Sequence, residues 1–268
     1  MGRGLTLFAV TLLVWGCETP VEPDDRDQEV GYRTGTRDDG YTSNGERGNV
    51  NITEVMWAGS IEGTGPAALH HPGDIFIELQ NKHPRPIHLT GWQLTIRAGH
   101  FSDGLHHESR ADRSSVTYTL PLRAGGQAVE PNEFVVVATR ADGAWLDPDY
   151  VLPDLRLANG PFAITLRDRD ERLIDGAGED RKPPFAGARD GVTARAMERI
   201  QLIFNNRGNR DASWHTYSLN DFDDGERGAL HQSLRARVRE EYRAATFATP
   251  GYPNSPDYSG YISSGSFE

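Results

Sequence analysis

The feature that most constrains the fold is an alternation of apolar and polar residues that recurs in short segments along most of the chain. In one of them Ile75, Ile77 and Leu79 fall on one face, and in another Trp92, Leu94 and Ile96 do. A period of two is typical of β-strands that bury one face. The alternating segments are 51–57, 74–79, 92–96, 116–120, 134–138, 163–166 and 172–174.

Branched and aromatic residues fill these segments, while Gly, Pro and Asp separate them, as is usual for strands joined by turns. No helical crossover separates consecutive segments, which favours antiparallel over parallel pairing. Residues 163–166 and 172–174 predict a hairpin around 168–171. One helix is predicted over 228–245, from Leu230, Leu234, Val238 and Tyr242 at four-residue spacing. The predicted fold is an all-β antiparallel sandwich with one short helix.

Several of these segments, in their order and spacing, resemble a known domain family. They are ITEVMW at 52–57, DIFIELQN at 74–81, IHLTGWQL at 87–94, FVVVA at 134–138, AITL at 163–166, MER at 197–199, SW at 213–214 and ATPGYPN at 248–254. Together they resemble the lamin-tail domain, which occurs in nuclear lamins and in many bacterial secreted proteins. The resemblance covers 49–255 and implies an immunoglobulin-like β-sandwich that binds rather than catalyses. Its motif residues here are Glu78, Asn81, Gly91, Trp92, Glu198, Arg199, Trp214, Pro250 and Gly251.

We expect the motif residues to maintain the fold. Trp92 should be anchored between the sheets, and Glu78 and Asn81 should end a strand and bond turn backbone. Glu198 and Arg199 should form a pair that bridges strands. Three insertions, 66–72, 99–114 and 221–246, exceed a minimal domain, and loops of this kind are where we expect partner contacts.

The N-terminus predicts a membrane anchor. Arg3 precedes an uncharged, largely apolar run over 5–15, too short to span a bilayer, which needs about 20 residues. Such a start is typical of a secretory signal peptide, here 1–16. Residues 14–17, VWGC, resemble the lipobox of bacterial lipoproteins, which implies lipidation of Cys17. Because Glu18, not aspartate, follows, the resemblance implies an outer-membrane or cell-surface location in the envelope rather than the inner membrane.

Two flanking segments should be disordered. Residues 17–48 carry the lipidated cysteine and then nine acids with few large apolar residues, so they cannot bury enough area to fold. They should act as an acidic tether spanning roughly 30 Å. Residues 256–268 are expected to form a disordered tail.

Charge and cysteine content exclude several classes of protein. The chain has 28 basic and 39 acidic residues, a net charge of −11, which disfavours nucleic-acid binding. Arginines within 235–243 are the strongest phosphate-binding candidates, although Glu240 and Glu241 lie among them. Because Cys17 is the only cysteine, intrachain disulfides and multi-cysteine zinc sites are excluded.

Two weak metal sites remain as candidates. His70, His71, His106 and His107 lie in predicted loops and could bind a transition metal if the loops converge. Asp221, Asp223 and Asp224 resemble a calcium loop, but the EF-hand spacing fails at Gly225. No catalytic motif occurs, so no enzyme activity and no cofactor are expected.

The sequence therefore predicts a non-catalytic, lipid-anchored lipoprotein that displays a lamin-tail domain, with an envelope protein or polymer as its partner. Two alternatives stay open. One is a secreted metal-dependent hydrolase that uses the loop histidines, and the other is a structural, self-associating envelope protein. The oligomeric state is left undetermined.

Overall fold

The computed structural model describes residues 46–99, 113–157, 160–200 and 207–257. The signal peptide, Cys17, most of the tether, the second histidine pair and residues 258–268 lie outside these residues. Fifteen strands are described: β1 (Val50–Met56), β2 (Ser60–Glu62), β3 (Leu69–His71), β4 (Phe76–Asn81), β5 (Gln93–Gly99), β6 (Arg113–Thr119), β7 (Phe134–Ala138), β8 (Tyr150–Val151), β9 (Phe162–Arg167), β10 (Leu173–Glu179), β11 (Ala188–Arg189), β12 (Ala194–Arg195), β13 (Met197–Arg199), β14 (Trp214–Thr216) and β15 (Thr246–Phe247).

Two of the sheets form the sandwich. The larger has the order β14-β13-β1-β4-β7-β8, antiparallel except for the β7–β8 pair, and the smaller has the antiparallel order β10-β9-β5-β6. The predicted all-β antiparallel sandwich is confirmed, and so is the hairpin, because β9 pairs antiparallel with β10. Two minor sheets, β11-β12-β15 and β2-β3, flank the sandwich.

A continuous apolar core joins the two main sheets. Ile77 and Leu79 of β4 pack there with Leu94 of β5 and with Leu166 of β9, as the alternation predicts. Trp92 is fully buried in the same core, in agreement with its expected position between the sheets.

A bulge interrupts the alternation in β1. The pairing register with β4 shifts between Ile52 and Glu54, so that Ile52 and Val55 both reach the core although they lie three residues apart. The bulge leaves Glu54 on the opposite face of the sheet, where Met56 also lies.

That opposite face is covered as well. A second apolar cluster packs Phe76 and Val136 of the large sheet against Trp145, Val238 and Tyr242. The chain thus forms a third layer over the large sheet, and all six residues of β4 are buried, so neither face of this strand contacts solvent. The insertion 221–246 supplies much of this layer, so it packs against the large sheet and is not an exposed loop.

The predicted helix over 228–245 is wrong in its extent. The structure has α1 (Gly225–Leu234) and α2 (Glu240–Arg243) with a break between them. The break forms because 237–239 runs beside 144–146: Leu146 N–H donates to Arg237 O at 2.8 Å, and Arg239 N–H donates to Ala144 O at 2.8 Å. This tertiary β-bridge between Trp145 and Val238 overrides the helical periodicity.

Candidate functional site

A cavity of about 860 Å³ opens where β10 of the small sheet approaches β1 and β13 of the large sheet. Residues just before β1, just after β4 and around Gly208 complete its wall. The approach of the two sheets is held by Asp175, whose carboxylate accepts a hydrogen bond from Ile52 N–H at 2.8 Å and pairs with the Arg199 guanidinium. The volume lies within the range of small-molecule binding sites.

Positive charge concentrates in this cavity. Five basic residues line it, against a single acid, Asp175, among the described lining residues. They come from five separate segments of the chain: Arg47, Lys82, Arg97, Arg199 and Arg207. Arg47, Lys82, Arg97 and Arg207 are exposed, whereas Arg199 is only 3% exposed. The described lining residues are therefore mainly positive, although the whole chain has a net charge of −11.

Two of these cations repel each other. Burial, and next the charge of Arg199, lower the pKa of Lys82. Arg199 cannot turn away, because its guanidinium donates to Ile52 O at 3.1 Å and is held by Asp175. An anion between the two cations would relieve this repulsion.

A second cluster of charged groups is a row of three buried glutamates. Glu54 of β1 lies directly opposite Glu78 of β4 on one side and Glu198 of β13 on the other. All three are 0% exposed. Like charges at directly opposed strand positions destabilise a sheet, so this carboxylate row needs compensating partners.

The partners come from the closing segment, 249–255. Thr249 N–H donates to Glu54 Oε1 at 2.8 Å, Gly251 N–H to Glu78 Oε2 at 2.7 Å, and Ser255 N–H to Glu198 Oε2 at 3.2 Å. Thr53 Oγ1 also donates to Glu78 Oε1 at 2.7 Å. The carboxylate row therefore fastens the end of the domain onto its central strands.

The row must retain at least one proton when these contacts form. Thr249 Oγ1 lies 3.0 Å from Glu54 Oε2 and 3.1 Å from Glu198 Oε1, yet a hydroxyl has one hydrogen. The second contact requires a protonated carboxyl group that donates to the hydroxyl. In agreement, burial raises the pKa of all three groups, well above the usual value for Glu54, to about 8 for Glu78 and to about 7 for Glu198.

Stability is expected to fall as pH rises from about 4.5 to about 8. Over this window the unfolded glutamates lose protons that the folded row retains, so the free energy of the unfolded chain falls relative to that of the folded chain. We expect a loss of several kcal/mol, since a difference of one pKa unit corresponds to about 1.4 kcal/mol, and urea denaturation at several pH values measures it. Burial lowers the pKa of His215, whose Nε2 lies 3.7 Å from Glu198 Oε2, and its titration acts in the opposite direction below about pH 6.5.

A variant isolates the contribution of the row. Glu78→Gln removes one titrating group that faces Arg237 and Thr53, and it should flatten the decline between pH 5 and pH 8. Glu130→Gln, on an exposed loop, is the matched control and should retain the wild-type slope. Equal slopes in all three proteins would contradict the assignment of the pH dependence to the carboxylate row.

The other motif residues hold turns and strand ends. Asn81 ends β4 and donates through Nδ2 to Arg85 O and Val129 O, both at 2.9 Å, as predicted for a strand-end amide. Gly91 has φ +79° in the turn that delivers Trp92. Trp214 of β14 donates to Gly208 O at 2.8 Å. Pro250 precedes Gly251, which has φ +82° where its N–H meets Glu78.

Two expectations for these residues are wrong. Glu78 does not end its strand but lies in the middle of β4, fully buried. Glu198 and Arg199 do not pair with each other, because neighbouring residues on a strand point to opposite faces. Glu198 faces the closing segment, whereas Arg199 faces Asp175 of β10.

The first histidine pair lies on a strand rather than in a loop. His70 and His71 belong to β3, where His70 Nε2 lies 2.9 Å from Ala58 O and His71 Nε2 lies 3.1 Å from Glu62 Oε2. The candidates His106 and His107 lie outside the described residues. Within the described ranges, no group of three or more His, Cys, Asp or Glu residues could hold a metal ion.

The acidic turn before α1 is bound by the protein itself. Asp221 Oδ1 lies 2.8 Å from His231 Nε2 and 3.2 Å from Arg235 Nη1. Asp223 accepts from Asn220 N–H at 2.7 Å and pairs with Arg227 at 3.1 Å. Asp224 occupies the N-cap position of α1 without a side-chain capping bond. Two of the three calcium candidates therefore have protein partners.

The arginine-dense segment does not form a phosphate-binding face. Arg237, Arg239 and Arg243 donate to backbone carbonyls, such as Leu146 O at 3.1 Å and Val238 O at 2.7 Å. Arg235 is 1% exposed, donates to Thr246 O at 2.9 Å and stacks on Phe247. These side chains hold the break between the helices in place.

Sequence reasoning missed the basic cavity, because its cations come from segments that show no pattern in one dimension. The only available signal was that Lys82 is one of just two lysines, the other being Lys182. It also missed Glu54 and Thr249 as parts of the carboxylate row. For the carboxylate row, the signal in the sequence was that a glutamate occurs in each of three strand segments.

Comparison of the chain with models of known protein families found no match, and comparison with curated proteins found none either.

Proposed function

We propose that this protein is a non-catalytic binding module of the cell envelope, a lipoprotein anchored through Cys17 that presents a lamin-tail domain to a partner. The observation that carries the binding role is the cavity of about 860 Å³, whose described lining is dominated by cations from five segments. The anchor sets where the domain acts, and the cavity sets what it holds.

The contacts within the domain support the lamin-tail resemblance. Motif pieces that are far apart in sequence meet in space, because Gly251 binds Glu78 across 173 positions and Thr249 binds Glu198 across 51 positions. Motifs that merely repeated common strand residues would have no reason to contact one another.

The anchor is proposed from the N-terminal sequence. Among the described residues, no helix has the length and apolarity that a membrane crossing requires. Two or three acyl chains on Cys17 would attach the protein durably, since each buried methylene contributes about 0.8 kcal/mol. The acidic segment up to Gly48 would then hold the domain away from the headgroups.

We expect the native protein to fractionate with membranes and Cys17→Ala to be released into the soluble fraction. The intact mass of the detergent-extracted protein should equal a chain that starts at Cys17 plus a diacylglyceryl group. The matched control is Thr19→Ala, two residues away, which should leave mass increment and fractionation unchanged apart from the substitution. A soluble wild-type protein without the lipid increment would overturn the anchored function.

A further inference from the structure

The basic cavity has a charge that suits one chemical class of ligand. Among its described lining residues five are cations and one, Asp175, is an acid, and Arg97 also pairs with Asp180 at 3.6 Å. This group of cations is larger than a single carboxylate would engage. It fits a ligand with several oxyanion groups.

The arrangement of the cations favours an extended ligand. Arg199 forms the buried floor, fixed by Asp175 and Ile52, while Arg47, Arg97 and Arg207 are exposed around it. The volume of about 860 Å³ is many times that of one phosphate ion, so charges spaced along a polymer would reach several cations at once.

The polar lining is compatible with sugar units. Asn51, Thr165 and Asn209 lie among the cations, and hydroxyl groups of a glycan could exchange hydrogen bonds with them. No aromatic side chain occurs among the described lining residues, so the cavity offers no stacking surface for bases. This separates an anionic glycan from a single-stranded nucleic acid.

Resting on the proposed function, we propose that the cavity binds a segment of an anionic polysaccharide, through oxyanion groups that contact Lys82 and the arginines around Arg199. The oxyanions are carboxylate or phosphate groups of that polymer. Such binding would relieve the repulsion between Lys82 and Arg199 and would tie the anchored domain to the polymer layer around it.

The test uses the two lysines of the chain as a matched pair. Lys82→Gln removes a charge from the cavity, whereas Lys182→Gln removes the same charge from an exposed site paired with Glu179 at 3.0 Å. The full-length protein in detergent is titrated by calorimetry at low salt with polygalacturonate, polyphosphate, inorganic phosphate and neutral dextran.

We expect wild type and Lys182→Gln to bind a polyanion with equal affinity, and Lys82→Gln to bind about tenfold more weakly. Dextran should not bind, and binding should weaken as salt is added. Polyphosphate has no sugar units, so binding of polyphosphate without binding of polygalacturonate would contradict the assignment to a glycan. Thermal unfolding of each variant shows that the weaker binding does not reflect loss of the fold.

Three further results would overturn the proposal. They are no binding of either polymer at low salt, equal losses in the two lysine variants, or binding of inorganic phosphate without either polymer. A chain that carries the lipid at Cys17 but binds no polyanion would refute this inference and leave the anchored module in place. A chain that binds the polymer but carries no lipid would refute the anchored module and leave this inference in place.

Discussion

Glu54→Ala is expected to lower the free energy of unfolding by about 3 kcal/mol, although it removes a carboxylate from a crowded row. Glu54 accepts Thr249 N–H at 2.8 Å and contacts Thr249 Oγ1 at 3.0 Å in a site without solvent access. Alanine would leave these buried donors unpaired and open a void between β1 and the closing segment. Urea denaturation at pH 6 measures the loss.

Glu54→Gln is the informative companion. Its amide has the shape of a protonated carboxyl group, and it can accept from Thr249 N–H while donating to Thr249 Oγ1. We therefore expect glutamine to retain most of the stability that alanine loses. We also expect proteolysis of the 249–257 segment to accelerate only in the alanine variant. A glutamine variant as unstable as the alanine one would show that the row needs the charge and not the proton.

Trp92→Ala is expected to destabilise the fold by about 3–5 kcal/mol, the cost typical of removing a large aromatic side chain from a core. The indole is fully buried between the two main sheets and contacts the central cluster. The backbone on either side is fixed, since Trp92 N–H donates to Leu89 O at 3.0 Å and Leu120 N–H donates to Trp92 O at 2.8 Å. The neighbouring chain therefore cannot collapse fully into the void.

Chemical denaturation of two further variants provides reference values for the loss of stability in Trp92→Ala. Trp92→Phe keeps a ring and removes an Nε1–H that has no partner among the described residues, so its loss should be clearly smaller. Val116→Ala, on β6 and 47% exposed, should change stability by less than about 0.5 kcal/mol. If Trp92→Ala were as stable as Val116→Ala, the conclusion that Trp92 stabilises the core would be wrong.

The carboxylate row and the basic cavity share strand β13. Glu198 and Arg199 are neighbours that face opposite sides of the large sheet, one toward the closing segment and the other toward Asp175. The strand therefore joins the buried carboxylate row to the basic cavity. Loss of the closing segment would free β13 on one face, so we regard the carboxylate row as a support of the proposed binding site.

The sequence predicted most strands of the sandwich, because local chemistry decides them. Residues such as Ile75, Ile77 and Leu79 must share a face once the backbone is extended, whatever the rest of the chain does. The hairpin β9–β10 followed from turn residues between two apolar runs. The roles of Gly91 and Asn81 could also be predicted, because a positive φ in a turn and an amide at a strand end are local requirements.

The single long helix failed for a non-local reason. Leu234, Val238 and Tyr242 have helical spacing, but Val238 pairs with Trp145, more than ninety positions earlier in the chain. Backbone hydrogen bonds to Ala144 and from Leu146 then compensate for those of the interrupted helix. No window of sequence around 235–239 contains that partner.

The sequence by itself determined the fold class and the strand segments with clear alternation, because each depends on residues a few positions apart. Only the tertiary structure decided which side of each strand was covered by a third layer, and hence that Glu54, Glu78 and Glu198 are buried together rather than solvated. It also decided that Arg47, Lys82 and Arg207 line one cavity. Burial and charge clustering depend on which distant segments meet, and that is settled by packing rather than by local sequence.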